Sequence, residues 1–298
     1  MIVGNDTYKY EIVTDWPQVP SEWAGWHWGW IVGVACDSQD RIFVYSRSER
    51  PLLVFDTAGN YLETWGEGIL VPKQAHGLFI DSEDNVFCVD TSNHRIDKFD
   101  RTGAHLMTIS SVGVEAGQPA AADGDPFNRP TDLAVAPNGD LFISDGYGNA
   151  RVHKYSATGE HLLSWGERGD GPSQFSISHS VRMGKDGHVW ICDRENNRVQ
   201  IFDTDGNFLH EWTGLLRPNT IHFDPNDDVI YVAELGRQIS LYTTDQALIT
   251  QWGGAEQSYE VGGFIGGPHG LWTDSRGNIY AGEVELGDTG RMHVYVRV

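Results

Sequence analysis

Three histidines hold the same place in alternate units of an internal repeat, and together they could bind a metal. His76, His179 and His269 each come directly before the first apolar run of their unit. If six units surround an axis, alternate units are related by about 120° and their side chains converge on that axis. Three imidazoles with an open fourth position are a typical catalytic zinc site. The spacing therefore predicts zinc, although iron, copper and nickel also accept imidazole ligands.

Two arginines follow the second apolar run of units that face each other in such a ring. Arg47 belongs to the first unit and Arg194 to the fourth. Two guanidinium groups directed at one channel could hold a carboxylate or stabilise a developing oxyanion. The alternative for each arginine is an ordinary salt bridge to the acidic surface. Their paired placement favours a functional role.

The third unit is one residue longer at the corresponding point, and the extra residue brings in Tyr147. The tyrosine stands between Gly146 and Gly148. Small neighbours allow a loop to direct a side chain into a channel. A phenol beside a divalent cation and two arginines is a candidate proton acceptor, because positive charge favours the phenolate.

The units that position these residues are short strands separated by turns. Their first strands are predicted to start near residues 33, 77, 132, 180, 220 and 270. Each unit alternates apolar and polar residues, has Gly, Asn or Asp at its breaks, and in four units ends an outer strand with tryptophan. Repeats of this length, with four strands each, predict an all-β fold, a six-bladed β-propeller.

The sixth unit has only three strands, and the N-terminal run is predicted to supply the fourth. Residues 8–14 alternate like an edge strand and lie outside the six units. A closed ring leaves no open sheet edge, so we expect one domain over residues 1–298. Three units also carry Asp-x-x-Asn-x-Arg or a near variant, which is similar to the NHL-repeat pattern. We interpret those Asp and Asn residues as turn-forming.

Two segments could control access to the predicted site. Residues 23–30 contain four tryptophans, which could form a packed plug or the apolar wall of a pocket. Residues 111–130 are long for a blade connection and could cover the mouth.

The composition excludes some classes of partner. With 21 Lys and Arg against 42 Asp and Glu, the net charge of −21 disfavours nucleic acid, and no basic patch offsets it. No apolar run approaches the roughly 20 residues that span a membrane. The N-terminus lacks a signal-peptide pattern, so the expected location is the cytoplasm, or outside it if a leader precedes the chain.

The motifs together resemble those of the peptidyl-α-hydroxyglycine α-amidating lyase family, in its bacterial single-domain form. The most specific matches are residues 145–151, His179-Ser180, residues 193–196 and Pro268-His269. The resemblance implies that His76, His179 and His269 bind zinc, that Tyr147 is the base, and that Arg47 and Arg194 contact the substrate.

The same resemblance implies a calcium site only in part. The family's calcium is held by two backbone carbonyls, which correspond to Val34 and Leu78, and by a carboxylate. The carboxylate position is Gly270 here, so the calcium ligand set is incomplete. The family's methionine on the substrate side is also replaced, by Gly267.

The resemblance implies a zinc-dependent lyase that breaks the N–C bond of an N-acyl-α-hydroxyglycine, giving an amide and glyoxylate. The substrate is then a small or peptide-derived carboxylate. Two alternatives stay open. One is another metal-dependent hydrolase or hydratase that uses the same histidines. The other is an NHL propeller without catalytic activity that serves as an interaction scaffold.

Overall fold

The computed structural model describes residues 1–23, 25–110, 127–254, 256–284 and 290–298. Its regular structure is β-strand, apart from two short 3-10 turns at Ser21–Trp23 and Arg194–Asn196. The chain divides into two compact units, residues 1–75 with 222–298 and residues 76–221. We call them unit one and unit two, and the single-domain interpretation stays a prediction. No helix in the described ranges is both long enough and apolar enough to cross a membrane.

The first part of unit one contains the N-terminal strands and blade one. Blade one is the antiparallel sheet β3-β4-β5-β6. The inner three strands of this blade are almost entirely buried and rich in Ile, Val, Leu and Phe, as expected of strands covered on both faces. The strands are β1 Ile2–Gly4, β2 Lys9–Val13, β3 Ile31–Cys36, β4 Ile42–Ser46, β5 Leu52–Phe55 and β6 Tyr61–Trp65.

Unit two contains blades two, three and four, each a four-stranded antiparallel sheet. A two-stranded parallel ladder, β15 with β16, precedes blade four. The strands are β7 Ala75–Ile80, β8 Val86–Asp90, β9 Arg95–Phe99, β10 His105–Ser110, β11 Asp132–Val135, β12 Leu141–Asp145, β13 Arg151–Tyr155, β14 His161–Trp165, β15 Glu167–Arg168, β16 Gln174–Phe175, β17 Ser178–Met183, β18 Val189–Asp193, β19 Arg198–Phe202 and β20 Phe208–Thr213.

The chain returns to unit one at residue 222, within the first strand of blade five, and then forms the rest of blade five and blade six. In blade six, β2 pairs with the last strand, so the N-terminal segment supplies the fourth strand, and β1 adds a fifth. The closing strand is thus confirmed, whereas the pairing of β1 was not predicted. The strands are β21 Pro218–Phe223, β22 Val229–Glu234, β23 Gln238–Thr243, β24 Leu248–Gly253, β25 Pro268–Thr273, β26 Ile279–Glu283 and β27 Met292–Arg297.

Six antiparallel meanders in chain order, one for each sequence repeat, make the fold the predicted six-bladed β-propeller. The predicted strand starts are late by two residues in five blades and correct only in blade three, at Asp132. Three of those five first strands contain a register shift at their second residue, Val32, His179 or His269. A β-bulge continues the strand through one extra residue, and it leaves no mark in the residue types.

Candidate metal and substrate site

The three predicted histidines are all buried in the first strands of their blades. His76, His179 and His269 are the second residues of β7, β17 and β25, with 1%, 1% and 6% of their surface exposed. The prediction that they come before the strands is therefore wrong by two residues. At His179 and His269 the cause is the bulge just described, since a bulge turns the extra residue's side chain away from the regular alternation.

Each histidine makes the same backbone contact through Nδ1. The Nδ1 atom of His76 lies 2.6 Å from the carbonyl oxygen of Thr131. The Nδ1 atom of His179 lies 2.9 Å from that of Asn219, and the Nδ1 atom of His269 lies 2.7 Å from that of Val32. A carbonyl oxygen only accepts hydrogen bonds, so each Nδ1 carries the proton and each Nε2 presents a lone pair. Metal-binding histidines are commonly held in this way by a backbone carbonyl.

Within unit two, His76 and His179 converge on the hydroxyl of Tyr147. Their ring centroids lie 4.9 Å apart. The Tyr147 hydroxyl lies 3.0 Å from His76 Nε2 and 3.3 Å from His179 Nε2. His269 belongs to unit one, where its imidazole has the same tautomer. Participation of His269 in a common metal site stays a prediction.

The loop that carries Tyr147 depends on the two glycines beside it. A Cβ at Gly146 would lie 2.2 Å from the backbone oxygen of Ser178, and one at Gly148 would lie 2.2 Å from the backbone oxygen of Asn128. Neither distance is sterically possible, so only glycine allows these close approaches. The sequence signal that singled out this loop thus has a steric basis.

Two guanidinium groups lie over the Tyr147 ring. The central carbon of Arg129 is 5.2 Å from the ring centroid, and that of Arg194 is 5.7 Å. Such contacts are typical of cation–π pairs. Arg129 was not among the predicted site residues. It lies near the end of the long connection into blade three, and the aligned residue of blade five is also an arginine before a proline, Arg217, so comparison of the repeats does not single it out.

Arg194 is buried and already has a carboxylate partner. It begins the 3-10 turn after β18, and its Nε donates to Glu195 Oε1 at 2.9 Å. Glu195 also accepts from Arg217 Nη2 at 2.7 Å. Burial alone would raise the pKa of Glu195, but its bonds and charge interactions with Arg217 and Arg194 outweigh burial and lower it. A substrate carboxylate at Arg194 would therefore share a cation that Glu195 partly neutralises.

Arg47 follows β4 directly, as predicted, and it lies in unit one beside a tryptophan. Its Nε donates to the carbonyl oxygen of Ala75 at 3.1 Å, and its guanidinium carbon is 4.8 Å from the Trp30 ring centroid. Its backbone amide donates to the carbonyl oxygen of Trp30 at 2.8 Å. These contacts hold the guanidinium beside the backbone of Ala75 and the ring of Trp30. Whether Arg47 and Arg194 face each other stays a prediction.

Comparison with known proteins shows which families this chain is similar to. Residues 127–155 and 178–202 match the family model described as NHL repeat, and they coincide with the first three strands of blades three and four. The chain is a β-propeller that contains NHL repeats. Human NHL repeat-containing protein 3 is 28% identical to this NHL propeller over 242 residues, which are 76% of this chain and 67% of that protein.

The NHL propeller is also homologous to amidating lyases. Peptidyl-alpha-hydroxyglycine alpha-amidating lyase 1 of Drosophila melanogaster is 36% identical over 173 residues, 54% of this chain. The match spans only 31% of the fly protein's own length. Among solved structures, a streptogramin B lyase has a TM-score of 0.60 at 16% identity, covering 95% of this chain and 87% of that one. That structural likeness shows the fold alone.

The calcium ligands implied by the resemblance do not form a complete set in this NHL propeller. Val34 and Leu78 are buried strand residues whose carbonyls could contribute. At Gly270, however, a Cβ would lie 2.8 Å from Gly33 Cα and 2.8 Å from the Val34 nitrogen. Backbone therefore occupies the space that a carboxylate side chain at residue 270 would need, and the donor set does not fit calcium.

The repeated Asp and Asn residues form turns, as interpreted from the sequence. Asn93 donates to Asp90, Asn149 to Asp145 and Asn196 to Asp193, at 2.7–2.8 Å. Each Asp is the last residue of its second strand and is buried. These residues belong to the scaffold of the NHL propeller. Of the connection expected to cover the mouth, residues 111–126 lie outside the described part of the chain.

Proposed function

We propose that the protein is a zinc-dependent lyase that cleaves N-acyl-α-hydroxyglycines to an amide and glyoxylate. Homology to named amidating lyases supports the general class. The observation that carries the specific reaction is the convergence of two imidazole Nε2 atoms on the Tyr147 hydroxyl. Two imidazole nitrogens that present lone pairs and one phenol oxygen meet here, and a donor set of this kind suits a cation.

The imidazoles suit zinc in number and in chemistry. His76, His179 and His269 would hold the ion, each through the Nε2 atom opposite its backbone-bonded Nδ1. Bound zinc supplies Lewis-acid polarisation of a substrate oxygen. The remaining steps are assigned to side chains of this protein.

We assign the role of the base to Tyr147. It accepts the proton of the substrate hydroxyl, and the electron pair of that O–H bond forms the new carbonyl of glyoxylate. The C–N bond breaks toward nitrogen, and nitrogen takes up a proton to complete the amide. One proton moves from oxygen to nitrogen overall, so the reaction needs no oxidant or reductant. The guanidinium groups of Arg194 and Arg129 lie over the ring of Tyr147.

Arg47 and Arg194 are assigned to the carboxylate of the substrate. Guanidinium groups bind carboxylates through paired, charge-assisted hydrogen bonds, which fix orientation as well as position. Their role would be to hold the α-carbon so that its hydroxyl faces Tyr147. With a net charge of −21, the protein as a whole repels anions, so local cations are needed to bind this substrate.

A scaffold without catalytic activity is the second candidate, and the similarity to human NHL repeat-containing protein 3 favours it. A scaffold does not require three buried histidines that share one tautomer and one strand position. A hydrolase at the same histidines is the third candidate, and it differs in its products.

The test is to incubate the purified, zinc-loaded protein with N-benzoyl-α-hydroxyglycine and to identify the products by chromatography. The proposal predicts benzamide and glyoxylate in equal amounts, well above the rate without protein. Benzoate as the product would favour a hydrolase. No turnover of this compound or of its N-acetyl counterpart would favour the scaffold.

A further inference from the structure

A cavity of about 500 Å³ lies beside Arg47 in unit one. Its lining includes Trp26, His27, Trp30, Arg47, Glu49 and Lys73. Cavities of about 300–1,000 Å³ are typical of small-molecule sites. A second cavity of about 510 Å³ lies between residues 49–51 and 64–72, and it contains none of the predicted site residues.

The cavity is formed by a tight approach of the tryptophan-rich segment to the end of β4. Gly29 has a φ of +61°, and a Cβ there would lie 2.5 Å from the carbonyl oxygen of Arg47. Only glycine permits this left-handed, close-packed turn. The turn brings Trp30 into hydrogen-bond contact with the Arg47 backbone and places the indole against the guanidinium.

The four tryptophans of this segment have different surroundings. Trp23, Trp26 and Trp28 pack against the hydrophobic core of blade one and contact one another. Trp30 instead stacks with Arg47, and together with Trp26 it lines the cavity. The segment is therefore both a packed plug and a pocket wall, which are the two alternatives predicted from the sequence.

The lining combines an aromatic wall, a guanidinium and a charged rim. At the rim, exposed Lys73 and Glu49 form an ion pair of 2.9 Å. A ligand that matches this lining has an apolar body that contacts the indoles and a carboxylate within reach of Arg47. The volume holds a ring and a short chain, not an extended peptide.

We propose that this cavity binds the acyl group of the substrate, and that the preferred group is a single bulky apolar unit such as an aromatic acyl group. The inference rests on the proposed function, because that function assigns Arg47 to the substrate carboxylate. Trp30 then determines specificity by contacting the acyl group while it supports Arg47.

The first experiment measures binding and requires no turnover. Isothermal titration calorimetry would compare N-benzoylglycine with N-acetylglycine, two unreactive carboxylates that differ in the bulk of the acyl group. Burial of a phenyl ring against the indoles predicts at least a roughly 10-fold tighter Kd for the benzoyl compound. In Trp30→Leu, the ratio of the two Kd values should fall to about 3 or less.

Trp23→Leu is the matched control. Trp23 belongs to the same segment and contacts an arginine, with the guanidinium carbon of Arg50 4.5 Å from its ring centroid, yet it does not line the cavity. This variant should keep the wild-type ratio. If Trp30→Leu weakens both ligands equally, Trp30 acts only through Arg47 and the acyl assignment is overturned. Equal Kd values in the wild type would also overturn it.

A second experiment separates this inference from the proposed reaction. The α-hydroxylated forms of the same two compounds would be tested for glyoxylate release with wild type and Trp30→Leu. If the wild type prefers the benzoyl compound in binding and in turnover, and Trp30→Leu loses both preferences, both proposals are supported. A binding preference without turnover supports the cavity and contradicts the lyase. Turnover without any preference for the benzoyl form supports the lyase and contradicts the cavity.

Discussion

At the scale of single residues, Tyr147 is the side chain on which the proposed chemistry depends most. Its hydroxyl contacts His76 and His179, and its ring lies near two guanidinium groups. Tyr147→Phe removes one oxygen and retains the ring. We expect turnover to fall by roughly 10²–10⁴-fold, the usual contribution of a positioned acid–base group. Glyoxylate release and thermal unfolding, measured on one preparation, check this expectation.

The control for this variant is Tyr259→Phe, at a tyrosine that is 77% exposed. Both variants should unfold within about 1 kcal/mol of the wild type. Near-normal turnover in folded, zinc-loaded Tyr147→Phe would contradict the role of Tyr147 as the base.

Replacement of either assigned arginine should weaken transition-state binding, but only replacement of Arg194 should also reduce the stability of the fold. Arg47→Gln and Arg194→Gln should each weaken the transition-state binding of a carboxylate substrate by about 2–3 kcal/mol, as expected for a lost charge-assisted contact. Arg194→Gln should also reduce stability, because it removes one of the two ion-pair partners of Glu195. Values of kcat/KM and urea unfolding would be compared with those of exposed Arg168→Gln. Unchanged kcat/KM values in both variants would indicate that these arginines have only a structural role.

Sequence reasoning identified residues best where the repeat offered a comparison. His76 and Arg194 occur at aligned positions, so their types differed from those in other blades, and Tyr147 was indicated by the extra residue of the third unit. Arg129 has an aligned arginine in Arg217, so the repeat comparison does not single it out. Its place over the Tyr147 ring and the ion pair between Arg194 and Glu195 depend on side-chain directions that spacing does not encode. Both features required coordinates.

At the scale of elements, the end of the second strand is a recurring anchor in five of the six blades, and β4 of blade one ends in Ser46 instead. The last residues of β8, β12, β18, β22 and β26 are all buried acids. In blade six, Glu283 accepts hydrogen bonds from the backbone amides of Ile265 and Gly266, and from His293 and Arg291. The carboxylate thus ties β26 to the segment that leads into β25.

This anchor predicts a pH dependence of stability. Burial alone would raise the pKa of Glu283, but bonds from His293, Arg291 and Gly266 lower it to about 2. A lowered carboxyl pKa stabilises the fold above the unfolded value near 4.5, and the effect is lost as the pH falls toward 2. Glu283→Gln should therefore lower the free energy of unfolding at pH 7 by roughly 2–3 kcal/mol.

Urea unfolding of Glu283→Gln and wild type at pH 7, 4 and 3 would measure this difference. The two proteins should converge as the pH falls, whereas exposed Glu160→Gln should match the wild type throughout. A difference that stays constant from pH 7 to pH 3 would show that the anchor acts through packing and not through charge.

Strand periodicity predicted the blades but not their first residues. The apolar runs and the turn residues between them indicate the number and the order of the strands. A bulge such as the one at His179 inserts a residue without changing that pattern, so the predicted starts were late. The three-residue strand β1 is too short for a periodic signal.

At the scale of the whole molecule, the proposed zinc site requires His269 of unit one to act with His76 and His179 of unit two. His76→Gln, His179→Gln and His269→Gln should each reduce bound zinc to less than half of the wild-type content. His222→Gln is the matched control, because His222 is equally buried in a first strand but bonds Thr273 through Nε2. Elemental analysis after gel filtration measures the content. Full zinc in His269→Gln would contradict the three-histidine site.

The most direct test is the rate of glyoxylate release from N-benzoyl-α-hydroxyglycine during zinc titration of chelator-stripped protein. The account predicts almost no release from the stripped protein, a linear recovery, and a plateau at about one zinc per chain. Tyr147→Phe should bind the same zinc without recovering the rate. Release that survives stripping, or that recovers equally in His269→Gln, would contradict a zinc-dependent lyase built on these three histidines.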